Sequence, residues 1–240
     1  MLNLHIPIDE DNKVLNILRI IQLCDSNFPI GSFNHSYGME TYLRKDKVID
    51  SNTMRKFIKV FLNNVFIYSD GLAIRMLYQY LNEDNLEKVW ELDRMLTAQT
   101  IAIETRNGSK LVANRMIKLF QDLYNTNLID IYEKKIIDKA VSGHPAIVFG
   151  MLMYTLNYSE EEAINFHMYS TISTIIQNAV RAIPLGQKDG QLILKECLEN
   201  FNKLYIKIKN MDYSYFGATS PGIELAQINH ETLEFRLFMS

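Results

Sequence analysis

Between Ser51 and Tyr68 the large apolar side chains fall at Met54, Phe57, Ile58, Phe61, Leu62 and Val65. This is the i, i+3, i+4, i+7 spacing that gathers side chains on one face of an α-helix. Burial of each such side chain stabilises by about 1.5–3 kcal/mol, so the stripe forms stably only against another apolar surface. The same period recurs over Gly71–Leu81, Leu86–Ala98, Ser109–Leu123, Ile129–Val141, Ala146–Leu156 and Ser159–Ile183, with polar breaks at Asn82–Asn85 and around Arg106-Asn107-Gly108. Ahead of these, Val14–Cys24 carries Leu15, Leu18 and Ile21/Gln22 at helical spacing and stops at Asp25-Ser26-Asn27.

Only 10 glycines and 5 prolines punctuate the 240 residues, and without such punctuation long helices are favoured over strands and tight turns. No stretch alternates polar and apolar residues long enough to read as a strand. Ser159 and Glu162 form the signature of a capping box. Pro184 and Gly186 end the long helix, and Asp189 is placed to cap a following one over about Gln191–Lys209, with Leu194, Leu198, Phe201 and Tyr205 inside. From Tyr213 the pattern changes, and Gly217, Pro221 and Gly222 break the chain. The fold expected is all-α: a single globular domain, 1–240, of about nine or ten helices, with a flexible N-terminus (about 1–12) and a tail over about 213–240.

Charge and cysteine content narrow the function classes. Lys and Arg number 25 against 28 Asp and Glu, a net charge of −3, which lacks the basic footprint of a nucleic-acid binder. Cys24 and Cys197 are isolated and fit neither a disulfide framework nor a zinc knuckle, so small buried hydrophobes in a reduced cytoplasm are their simplest reading. Asp9, Glu10 and Asp11 stand where a signal peptide needs an apolar run. The uncharged stretch 165–180 is shorter than the roughly 20 apolar residues of a membrane span and rich in Asn, Ser, Thr and Gln; a buried helix is expected there, and no membrane association.

No catalytic machinery is visible. The histidines, His5, His35, His144, His167 and His230, include no i, i+4 pair that would set two metal ligands on one helical face. His167 reads as a hydrogen-bonded core residue. There is no P-loop, and in "PLGQKDGQ" (184–191) Lys188 precedes the last glycine with no Ser or Thr after it. No G-x-S-x-G elbow occurs. Asp70, Glu104, Arg106 and Arg181 read as paired helix charges.

Three blocks, in order, resemble the urease accessory protein UreF family. The first is "LCDSNFPIGSFNHSYGMETYL" (23–43), which fits an apolar helix end followed by P-x-G-[SG]-[FY], a small polar patch and a glycine before an acidic residue. The second joins "SGHPAIVFGMLMYTLNYS" (142–159) to "YSTISTIIQNAVRAIPLGQKDGQLIL" (169–194), with the core N-x-V-[RK]-x-[IV]-P-L-[GS]-Q-x-D-G-Q. The third is the terminus "SPGIELAQINHETLEFRLFMS" (220–240), of the form H-E-x-x-x-x-R-L-[FY]-x-S.

The resemblance implies an all-helical cytoplasmic protein, a homodimer and not an enzyme. It would bridge a second accessory protein (UreD, called UreH in some organisms) to the GTPase UreG, regulate the GTPase step and so support nickel delivery to apo-urease. Nickel and GTP would be handled by those partners, with no cofactor, catalytic residue or metal ligand in this chain. The matched positions are Pro29, Gly31, Ser32 and Phe33 in the turn, His144 and Pro145, then Pro184, Gln187, Asp189, Gly190 and Gln191, and in the tail His230, Glu231, Arg236, Leu237, Phe238 and Ser240. At 184–191 a structural role suffices, since Pro and Gly stop one helix and Asp caps the next.

Partner binding is expected at Pro29, Gly31, Ser32, Phe33, His35 and Tyr37, with His35, Ser36 and Tyr37 opening a helix as a polar surface, and at His230, Glu231, Arg236, Leu237 and Phe238. The tail is expected to order on partner binding, with Leu237 and Phe238 as anchors and Arg236 donating to carbonyls near 28–33. The alternative is a nickel-carrying metallochaperone that gathers His35, His144 or His230 at a dimer interface.

Overall fold

The computed structural model describes residues 12–124 and 126–240. The α-helices are α1 (Lys13–Cys24), α2 (Met39–Arg44), α3 (Ser51–Phe61), α4 (Asp70–Asn82), α5 (Leu86–Gln99), α6 (Ile103–Tyr124), α7 (Asn127–Ile137), α8 (Pro145–Thr155), α9 (Glu160–Ala182), α10 (Gln187–Leu198), α11 (Phe201–Lys209) and α12 (Pro221–His230). No strand occurs among the described residues, so the fold is all-α. The N-terminal segment expected to be flexible lies outside the described residues except for Asn12, whose side chain accepts the Leu15 N–H and caps α1.

Helix α8 explains the arrangement. Ala146 to Met153 are all buried, and a helix that is apolar all round belongs in the centre of a fold. It packs against α4, α6, α7 and α9. Pro145 opens it at the position where a missing N–H costs nothing, and the His144 ring accepts the Ala146 N–H through Nδ1 at 3.3 Å. Buried Asp93 of α5 fixes the approach by accepting from the Tyr132 hydroxyl and from the Ser142 and Gly143 N–H groups. One hydrophobic cluster runs through the chain from Ile20 to Phe238.

Helices α3 and α4 are joined through a π-helical turn, Leu62–Phe66, into one stretch, Ser51–Asn82, long and apolar enough to cross a membrane by composition. Met54, Phe57, Ile58, Phe61, Leu72, Ile74 and Leu77 bury that apolarity in the core. His167 of α9 bonds Asp70 of α4 through Nε2 at 2.9 Å. Burial alone would raise the Asp70 carboxyl, but the hydrogen bond from His167 and the neighbouring His144 and His167 charges outweigh it and hold it below the ordinary carboxylate value. Both cysteines are buried, and burial pushes the Cys24 thiol up to about 12 and that of Cys197 up to about 11.

The Ser159–Glu162 capping box forms, and α9 ends at Ala182 ahead of Pro184. Four local expectations are corrected. Arg106-Asn107-Gly108 does not break the chain but lies inside α6, where Gly108 lets the His35 ring pack close to the helix backbone. The helix expected over 191–209 is two, because the chain turns at Glu199-Asn200. Asp189 does not cap α10 but lies in its first turn, the cap position being Gly186. The Pro221-Gly222 break starts α12 instead of an irregular tail, with proline again at the first helical position.

Candidate functional site

The two segments singled out at opposite ends of the sequence meet in space. After α1 the chain turns at Phe28-Pro29-Ile30-Gly31, with Phe28 and Ile30 buried against the core. Gly31 has φ +78, and the Arg115 guanidinium of α6 lies so close to its Cα that a Cβ would stand 2.0 Å from a guanidinium nitrogen. Only glycine meets both conditions without rearrangement. A 3₁₀ turn, Ser32–Asn34, follows. His35, Ser36 and Tyr37 do not open the next helix as a polar surface. His35 and Ser36 are buried, Tyr37 has φ +54 and packs edge-on against Phe61, and α2 begins only at Met39. Gly38, at φ +87, lets this corner approach α12, where a Cβ would meet the Ile223 carbonyl at 3.2 Å.

The C-terminal segment folds back onto this corner. Met239 donates its N–H to the Asn34 carbonyl at 2.7 Å and Ser36 donates to the Ser240 carbonyl at 2.5 Å. The His35 ring meets the Ser240 hydroxyl at 2.8 Å through Nδ1, and Asn178 of α9 donates to the His35 carbonyl at 2.9 Å. Burial, then the charges of Arg115 and His230, hold His35 below its ordinary pKa. Thr41 donates to the Ala226 carbonyl at 2.7 Å, tying α2 to α12.

Glu40 organises the corner. It is fully buried; Oε1 accepts the Leu237 N–H at 2.6 Å and Oε2 the Phe238 N–H at 3.0 Å. Oε2 also faces His230 Nε2 at 3.1 Å, and Arg44 pairs with Oε1 at 3.3 Å. The other nitrogen of His230 meets Glu104 Oε2 at 2.6 Å, and Glu104 Oε1 accepts from Arg236. Each ring nitrogen of His230 thus has a carboxyl oxygen as its hydrogen-bond partner. Arg236 also donates to the Leu233 and Glu231 carbonyls, not to carbonyls of the 28–33 turn as expected. The Glu231 carboxylate accepts the Ile103 N–H at the start of α6, a favourable place for an anion.

The terminal segment 235–240 has no regular secondary structure and divides into inward and outward side chains. Phe238, 6% exposed, and Ser240 point inward, while Phe235, Leu237 and Met239 are 76%, 57% and 55% exposed. Phe33, on the turn paired with Met239, is exposed as well. Leu237 and Phe238, expected as a pair of anchors, therefore face opposite ways. The tail, expected to order on partner binding, is already hydrogen-bonded to its own chain. Sequence reasoning missed Glu40 and undervalued Glu104. An acidic residue two positions after a glycine was in view at Glu40, but its partners in α12 and the tail lie 190 or more residues away and no local spacing shows them.

Within the chain the three histidines of the metallochaperone alternative are buried and already engaged. His144 caps α8, His35 is engaged with Ser240, and His230 is flanked by Glu40 and Glu104 on opposite edges of its ring. Among the described residues no group of three or more His, Cys, Asp or Glu side chains is set to hold a metal ion.

The UreF family model matches residues 48–198. The chain is 48% identical over 223 residues to the urease accessory protein UreF of Streptococcus salivarius and 46% identical over 223 residues to that of Streptococcus thermophilus, in each case 93% of this chain and 94% of the relative. It is 38% identical over 230 residues to the urease accessory protein UreF of Lachnoclostridium phytofermentans, covering 96% of this chain and all of the relative. With its all-helical core and two matched ends folded into one corner, the chain belongs to the UreF family of urease accessory proteins.

Proposed function

We propose that this protein supports urease maturation as a scaffold: it bridges a UreD/UreH-type accessory protein and the GTPase UreG, regulates the GTPase step, and so promotes nickel insertion into apo-urease in the cytoplasm. As a member of an accessory family it is not an enzyme. The observation that carries the scaffold reading is the set of exposed apolar side chains on a tail pinned to its own chain. Hydrogen bonds from Glu40 hold the segment in place, and Phe235, Leu237 and Met239, with Phe33 on the turn that pairs with Met239, leave apolar side chains in water. Aromatic and aliphatic anchors on a prefixed backbone lose little entropy on binding. The UreD/UreH-type partner docks on these side chains.

The homodimer is supported by α1. Val14, Ile17, Leu18 and Ile21 stand one helical turn apart on its exposed side, while Ile20, Leu23 and Cys24 face the core. The helix thus has a second apolar face with no cover among the described residues, suited to a second copy. The test is co-purification: the Phe235→Ser/Leu237→Ser variant keeps the helical circular dichroism of the parent and fails to retain the UreD/UreH-type protein, whereas retention at the parental level overturns the assignment of the tail.

A further inference from the structure

On another face, α3 and α11 border an open groove of about 930 Å³ that reaches α10 and the 3₁₀ turn Tyr213–Tyr215. Its floor is apolar, with Ile58, Leu62, Ile193 and Leu204 buried beneath it. Ile206 and Tyr215 stand exposed at its margin. The rim is basic: Arg55 and Lys59 come from α3, Lys203 and Lys207 from α11. Four cations face one carboxylate, Glu196, in a chain whose formal net charge is −3. Arg55 holds Glu196 through Nε at 2.9 Å, and Lys207 lies over the Tyr68 ring at 5.3 Å. Lys59 and Lys203 are exposed and have no ion-pair partner among the described residues.

We propose that this groove docks an acidic amphipathic segment of a partner protein. An apolar floor between two cationic rims matches a segment with one apolar side and carboxylates along its flanks, the complement of the groove in both hydrophobicity and charge. The apolar side replaces water over Leu62 and Leu204, and the flanking carboxylates supply partners for Lys59 and Lys203. A neutral segment would leave the lysines unpaired, and a basic one would be repelled. The groove shares none of its lining residues with the tail site, so the two surfaces can be occupied together.

The test uses the full chain and a fluorescein-labelled synthetic helical peptide with Leu and Phe on one face and Glu on the other, followed by fluorescence anisotropy. Saturable binding is expected, weakened at least about tenfold by Lys203→Glu/Lys207→Glu and by raising the ionic strength from about 0.05 to about 0.5 M. A peptide with Lys in place of Glu does not bind. The two lysines are on the surface, so the variant keeps its fold, which circular dichroism verifies. Absence of saturable binding, or affinity indifferent to the charge reversal, overturns the proposal. So does binding that appears only once residues 1–11 are removed, because that assigns the groove to this chain's own acidic N-terminal segment.

Discussion

The two ends of the described chain both present apolar side chains to water, and they are held by different physics. Helix α1 is secured by its own backbone ladder and by Ile20, Leu23 and Cys24 on the core; its outward face follows the 3.6-residue period. The tail has no ladder of its own. It is held by Glu40, His230, Glu104 and Arg236, and its exposed apolar side chains, Phe235, Leu237 and Met239, follow no helical period. A helix can present a surface through local structure alone, whereas a segment without regular secondary structure must borrow hydrogen-bond partners from distant elements. Damage to α1 should therefore change association, and damage to the latch should change the position of the tail itself.

The largest effect is expected at the centre of the latch. Glu40→Ala removes the acceptor of two backbone N–H groups and one of the two carboxylates on His230. Breaking such a buried pair costs about 3–5 kcal/mol, a loss capped by release of the tail. Denaturant unfolding should show reduced stability, and amides 237–240 should lose hydrogen-exchange protection while those of α8 stay protected at intermediate denaturant. Phe238→Ala comes next, at about 3 kcal/mol for an inward aromatic truncated to a cavity, again seen first in exchange of the tail. If either variant leaves tail exchange unchanged, the latch does not hold the tail.

On the outward faces the expectation reverses. Phe235→Ser/Leu237→Ser should alter stability by no more than about 0.5 kcal/mol per site while costing at least about tenfold in partner affinity, read by surface plasmon resonance with the UreD/UreH-type protein. Ile17→Glu/Ile21→Glu should leave the monomer folded and shift the assembly from dimer to monomer in sedimentation; a dimer of unchanged stability would remove α1 from the interface.

The smallest effect is in pH. Because His35 is held below its ordinary pKa in the fold, the unfolded chain takes up its proton first as pH falls. The stability from the neutral ring is present above the ordinary histidine value near 6.5 and is lost as pH drops through the folded value. The acid-side decline in stability should be shallower in His35→Gln than in the parent, and identical slopes would place the proton uptake elsewhere.

Much of the fold was legible in the sequence because its signals are local. The stripe from Met54 to Val65, the Ser159–Glu162 box and Pro184 each act within a few residues, and helices formed where they said. Arg106-Asn107-Gly108 misled because polarity alone does not end a helix when flanking residues pack; α12 was missed because Pro221 and Gly222 read as breakers although proline fits the first turn of a helix. Of the candidate site, Gly31, His35, His230 and Phe238 were nominated by pattern, but their burial was not legible.

The sequence by itself determined that this chain is helical, which residues begin and end most helices, and which family it resembles, because spacing and capping chemistry are properties of neighbours in the chain. Only the tertiary structure decided which side of α1 faces the core, that Leu237 points out where Phe238 points in, and that a glutamate in α2 binds the last turn of α12 and the tail beyond it. Those outcomes depend on hydrogen bonds and contacts between residues up to about two hundred positions apart, and long-range pairing leaves no local periodicity to read.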